Sequence, residues 1–196
     1  MERRNFIISG SRCCIAAGLC TLIPESAFSA ENSPQQEIKH SCDERMEFAG
    51  QWLIRFMNVL DTNLEEKTKL DIMEENGKAC ASAYLKSIGR DNQKAIAYDD
   101  FLKRVAGKTD GTYQVDGKTL YMTYLTNYEG KAAAESVCLC PFVENKPGNL
   151  SRTYCHCSVG YIKELYSRLF GQPVKVELMS SVLYGDKRCK FKIELA

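Results

Sequence analysis

The spacing of apolar residues changes near residue 112, and that change limits the fold more than any other feature. Before it, apolar residues recur at alternating steps of four and three, as one face of a helix requires. Cys42, Met46, Ala49, Leu53, Phe56 and Leu60 form a first stripe, widened by Trp52 and Met57. Leu70, Met73, Gly77, Cys80 and Tyr84 form a second, in a helix expected to break near Asn76-Gly77 and to end at Gly89. Asp91 suits the N-cap of a third helix that turns Tyr98, Phe101, Leu102 and Val105 inward and stops at Gly107. After residue 112 the period drops to two. Thr112 to Val115, the turn Asp116-Gly117 and Lys118 to Leu125 read as a hairpin, and Val137 to Val143 as a short strand interrupted by Pro141. A loop follows at Asn145 to Asn149, then a helix from Cys157 or Ser158 to about Phe170, closed by Gly171-Gln172-Pro173. Val174 to Tyr184 and Lys187 to Leu195, joined by Gly185-Asp186, complete a C-terminal hairpin. The expected fold is α+β: N-terminal helices, then an antiparallel sheet with one inserted helix and a C-terminal hairpin.

The first 30 residues read as an address, not as part of that fold. Arg3-Arg4 with Phe6 and Ile7 gives a basic segment of twin-arginine type, Cys13 to Ile23 is an apolar run, and Ala27 and Ser29 are small residues suited to cleavage after Ser29. Large Leu19 before Cys20 disfavours a lipidation box. Residues 31–40 read as a flexible leader and 41–196 as a single domain. The expected location is outside the cytoplasm, in the periplasm, through the twin-arginine route. No stretch beyond the leader approaches the ~20 apolar residues a spanning helix needs. Of 26 basic and 25 acidic residues in the whole chain, the first 30 residues hold Arg3, Arg4 and Arg12 and Glu2 and Glu25, so the remainder is neutral. Such a balance gives no electrostatic footing for nucleic acid or a lipid surface. A metal or a small molecule is the expected partner, and oligomeric state is not readable.

Three of the ten cysteines go with the first 30 residues, leaving Cys42, Cys80, Cys138, Cys140, Cys155, Cys157 and Cys189. An odd number rules out complete internal pairing. Four of them make two Cys-x-Cys pairs. In a strand, Cys138 and Cys140 present both sulfurs to one side, at the limit for bridging each other. Cys155 and Cys157 flank His156 where a loop enters a helix, and there the backbone N–H groups favour a thiolate. Three readings of Cys138, Cys140, Cys155 and Cys157 stand open: cross-pair disulfides formed after export, a four-thiolate site suited to zinc, and thiol catalysis or exchange with His156 as neighbour. Cys80, His156 and Cys189 are further candidates. Cys42 and Cys80 lie on helical stripes, where core packing is the default.

Glu177, Gly185-Asp186 and Cys189-Lys190-Phe191 resemble the closing signature of the four-vinyl-reductase-type ligand-binding domain. Cys155-His156-Cys157-Ser158-x-Gly160-Tyr161 is similar to the Cys-rich helix start of that superfamily, and also to bacterial proteins related to aminothiazoline-carboxylate hydrolase. The likeness covers Cys138 to Leu195. It implies a module that holds zinc through a Glu and two cysteines, or one that binds a hydrophobic small molecule. Glu177 and Cys189 match that zinc set, and Ser180 or Ser181 stands where its first cysteine would be. A two-residue loop at Gly185-Asp186 pairs Val182 with Cys189 and Leu178 with Ile193, and turns Glu177 to the polar face opposite Glu194. The expected function is therefore a metal- or small-ligand-binding module. A hydrolase or thiol-dependent enzyme, and a disulfide-stapled interaction protein, are the alternatives.

Overall fold

The computed structural model describes residues 42–126, 132–140 and 150–196. The leader, His40 and the expected elements at 141–149 lie outside them. The chain divides into units of residues 1–45 and 46–196; the first is described only in the opening turn of the first helix. Helices α1 (Cys42–Asn63), α2 (Glu66–Ser87) and α3 (Tyr98–Ala106) precede the hairpin β1 (Tyr113–Asp116) and β2 (Thr119–Thr123). A 3-10 turn, Arg152–Cys155, runs into α4 (His156–Phe170). Strand β3 (Val174–Ser180), a second 3-10 turn at Val182–Tyr184 and β4 (Lys190–Leu195) finish the chain. The four strands form one antiparallel sheet in the order β1-β2-β4-β3. The fold is α+β with the expected order of elements.

Period-two alternation builds the main core. Leu120 and Met122 of β2 and Phe191 and Ile193 of β4 point to one face, where Leu102 of α3 and Ile162 of α4 close over them. The opposite face carries Lys190 and Lys192, with Glu177 exposed across from Lys192. The hairpin loop is Gly117-Lys118, one residue later than the sequence suggested, with Gly117 at φ +58°.

The second helix does not break at Asn76-Gly77. It continues because Gly77 is a crossing point: a Cβ there would sit 1.9 Å from the carbonyl oxygen of Cys157. A Cβ on Gly160 would sit 1.8 Å from the carbonyl oxygen of Glu74. Two missing side chains thus let α2 and α4 meet backbone on backbone. The buried edge of α2 runs through Met73, Gly77, Ala81 and Leu85, so Cys80 is rotated off it and exposed, against the core-packing expectation.

Four other expectations are corrected. The third helix begins at Tyr98, after Ala97, and not near Asp91. Val137 to Cys140 is irregular, not a strand. The fourth helix begins at His156, ahead of Cys157. In the last hairpin, Leu178 pairs with Phe191 and Val176 with Ile193, a register two residues tighter than Gly185-Asp186 alone predicts. The cause is Ser181, whose backbone N–H donates to Asp186 Oδ2 and whose carbonyl accepts from the Asp186 N–H, closing a wider turn. As far as Leu178 the shift is two, which keeps each side chain on its face; an irregularity between Leu178 and Ser180 then brings Ser180 opposite Lys190.

The first stripe also turns differently. Leu53, Ile54, Met57, Leu60 and Leu64 face inward, while Met46, Phe48, Trp52, Phe56 and Val59 are exposed. The inward set packs on Met73, Cys138, Leu150 and the second 3-10 turn, forming a smaller core separate from that of the sheet.

Candidate functional site

The smaller core is where the cysteines gather. Cys138 is buried beside Met57 and Leu60, and Cys140, Cys157 and Tyr154 pack against the same cluster. Each thiol near it has a named neighbour. Cys140 Sγ lies 3.3 Å from Tyr154 Oη. Asn76 Nδ2 donates to Cys157 Sγ at 3.5 Å. Cys155 Sγ lies 3.0 Å from Ser181 Oγ, in a fully buried serine whose hydroxyl also accepts from the Leu183 N–H. Cys189 packs instead against the sheet core, and Cys80 is exposed. The structure thus packs Cys138, Cys140 and Cys157 against one cluster and places Cys155 on Ser181, with Cys189, Cys138 and Cys140 near enough to act on its thiol. Cys80, exposed on α2, is near enough to act on Cys157.

No disulfide joins these six cysteines in the structure. Among the described residues no group of three or more His, Cys, Asp or Glu side chains is placed to hold a metal. In this arrangement the nearest polar neighbour of Cys155 is Ser181 and that of Cys157 is Asn76. The Glu177 and Cys189 pair does not converge either, since Glu177 is exposed and Cys189 packs inward.

The electrostatics reverse the expectation for cysteines at a helix start. Burial pushes the Cys155 thiol up to about 12, against a partly offsetting hydrogen bond with Ser181. Burial likewise pushes Cys157 up to about 11, against the hydrogen bond from Asn76. Cys138 is raised for the same first reason. A helix N-terminus contributes ~1 kcal/mol toward a thiolate, and desolvation of the charge outweighs it here. His156 has its pKa lowered, chiefly by burial, and its Nδ1 is buried with no hydrogen-bond partner in the structure.

Outside this core lies a cleft of ≈ 570 Å³ lined by Phe48, Ala49, Trp52, Leu53, Asn76 and Tyr154. Its wall is the outward face of α1, where Trp52 and Phe56 stack at 5.1 Å with their planes 8° apart. Its two polar lining residues are the ones that contact thiols: Asn76 at Cys157 and Tyr154 at Cys140. Among the described residues, no charged side chain lines it. Sequence reasoning missed Asn76, Tyr154 and Ser181. Asn76-Gly77 read as a helix break, and nothing local marks Tyr154 or Ser181 as thiol neighbours. The signal for the cleft was the aromatic surplus of the first stripe.

Comparison with known proteins gave one family model, a family of unknown function (DUF6144), matching residues 25–196. No curated protein matches the sequence. Among solved structures, the chain is similar to a trafficking protein particle complex subunit 3 from Naegleria fowleri, covalently bound to palmitic acid. The identity is 11%, with 79% of this chain and 96% of that chain covered and a TM-score of 0.45. It is also similar to a vinyl-4-reductase family protein from Methanocaldococcus jannaschii, at 13% identity, with 82% and 85% covered and a TM-score of 0.33. Neither likeness bears on function.

Proposed function

We propose that this chain, which belongs to the DUF6144 family of unknown function, is a binding module for a small, uncharged, apolar ligand held in the cleft between α1 and Tyr154. The observation that carries this is the lining itself: among the described residues it is apolar and aromatic, with two polar groups and no charge. Ligand sites are commonly of this size and composition. A charged ligand would lose its hydration there and find no counter-charge. The raised thiols weigh against the enzyme alternative, because the protonated form is a poor nucleophile.

Trp52 is the only tryptophan in the chain, so it reports on its own wall of the cleft. Titration with the neutral fluorophore N-phenyl-1-naphthylamine is expected to quench Trp52 saturably, with a Kd on the order of micromolar. Ala49→Phe fills the cleft and is expected to weaken binding about tenfold or more, by the steric cost of overfilling. A non-saturable response, or an Ala49→Phe chain that binds as well as the parent, rules the reading out.

Export belongs to the same proposal and rests on Arg3-Arg4, Phe6 and the small residues before Glu31. Arg3→Lys with Arg4→Lys is expected to leave the full-length precursor in the cytoplasm, seen by fractionation and blotting. Undiminished mature protein outside the cytoplasm would overturn this part alone.

A further inference from the structure

We propose that Cys140 and Cys157 close into a reversible disulfide that lowers the affinity of the cleft, a redox control that rests on the ligand-binding reading above. Both residues pack against the one cluster around Met57 and Leu60. Each thiol is also a single contact away from the cleft floor, Cys140 through Tyr154 Oη at 3.3 Å and Cys157 through Asn76 Nδ2 at 3.5 Å. Both lie close to the same hydroxyl: burial first, then Cys140, Cys157 and last Cys138, push the pKa of Tyr154 upward, and Cys140 acts on the Cys157 thiol directly.

The remaining thiols are placed for other contacts. Cys155 is engaged with Ser181, Cys189 packs against the sheet core, and Cys80 is exposed on α2. Cys138 is buried and touches neither polar lining residue through a hydrogen bond that the structure shows. A disulfide needs Cβ atoms roughly 3.5–4.5 Å apart. Val137 to Cys140 carries no strand hydrogen-bond ladder, so this segment can adjust toward the first turn of α4 without breaking a sheet. The sequence also reads as exported, toward a compartment where disulfides persist.

The chemistry is thiol–disulfide exchange with a small-molecule disulfide. One protein thiol, as thiolate, attacks a sulfur of the incoming disulfide, releases one small thiol and forms a mixed disulfide. The second protein thiolate attacks the protein sulfur of that bond and releases the other small thiol. Two protein S–H bonds are lost and one S–S bond forms. The two electrons leave with the small thiols, which also take up the two protons. The bridge removes the thiol acceptor of Asn76 and the thiol neighbour of Tyr154. Both polar groups then turn to the cleft and must be desolvated by an apolar ligand, which weakens binding about tenfold.

The test uses the full chain at mildly alkaline pH in buffers of varied reduced to oxidised glutathione ratio. Peptide mapping by mass spectrometry reads the bridge, and quenching of Trp52 by N-phenyl-1-naphthylamine reads the cleft. The expected result is a Cys140–Cys157 linked peptide lighter by two hydrogens, appearing together with the about tenfold loss of affinity. Cys157→Ser is expected to hold one affinity at every ratio. A bridge between other cysteines (Cys80 and Cys157, or Cys138 and Cys189), glutathione adducts alone, or an unchanged affinity in the bridged protein each overturns the proposal. The map on the unaltered chain decides the bridge even where a variant fails to fold. If the reduced protein does not bind the fluorophore, the cleft reading falls, and the map still decides the bridge.

Discussion

Gly160→Ala is expected to destabilise the protein by about 4 kcal/mol or more, enough to consume much of the 5–15 kcal/mol a domain of this size holds. The new Cβ would fall 1.8 Å from the carbonyl oxygen of Glu74 and within 2.7 Å of its Cα. Those are backbone atoms of a regular helix, which cannot rotate away as a flexible side chain would. Relief requires α2 and α4 to separate, and that loosens Met73 on one side and Val159 and Ile162 on the other. Gly77→Ala meets the mirror contact, 1.9 Å from the carbonyl oxygen of Cys157, and is expected to cost a similar amount. Because both act on one helix crossing, the double variant should lose less than the sum of the two. Gly107→Ala is the control: no atom lies within 4 Å and its φ is −85°, so its effect should stay within about 0.5 kcal/mol. Urea denaturation followed by circular dichroism measures the four variants beside the parent. A Gly160→Ala midpoint close to the parent's would show that the helices do not meet on their backbones.

That crossing also shows where sequence reasoning stopped. Gly77 read as a break in the second helix, and nothing in the local pattern names Cys157 and Gly160 as what crosses there. Such pairing is tertiary. The same holds for the last hairpin. Alternation put Leu178, Phe191 and Ile193 on the inner face correctly, since face depends only on parity, whereas register depended on a turn closed by Ser181 and Asp186. Gly185-Asp186 was the stronger local signal and misled by two residues. In α1 the stripe was real but too broad for a partner on one side. Leu53 and Leu60 went inward, Trp52 came to line the cleft, and Phe56 stacks on Trp52 as an exposed ring. An amphipathic pattern counts apolar residues and does not say which of them the rest of the fold will cover. For the cysteines, spacing identified the pairs, while the contacts of their thiols came from Asn76, Tyr154 and Ser181, residues distant in the chain or of no chemical distinction.

Alkylation of the reduced protein is expected to be slow at Cys155 and Cys157, and the pH dependence gives the reason. The reactive species is the thiolate. Burial lifts Cys157 from an ordinary 9.0 to about 11 and Cys155 from 9.0 to about 12. Near neutral pH the thiolate fraction then falls about a hundredfold at Cys157 and about a thousandfold at Cys155, one factor of ten for each pH unit. Iodoacetamide labelling mapped by mass spectrometry should show both sites lagging those in urea-unfolded chain by at least these factors, because limited access adds to the effect. Their rates should climb tenfold per pH unit past pH 9, where an ordinary cysteine levels off. The same shift acts on stability. The folded state binds these protons more tightly than the unfolded state, so the contribution is fully present below pH 9 and is lost as pH rises through 11 to 12. Stability should therefore decline between pH 9 and 12, and Cys155→Ser, which keeps a hydroxyl beside Ser181, should flatten part of that decline. Rapid labelling of Cys155 or Cys157 at pH 7 would mean that a cation or the helix N-terminus overrides burial. The thiols would then be nucleophiles, and the enzyme reading would displace the binding module.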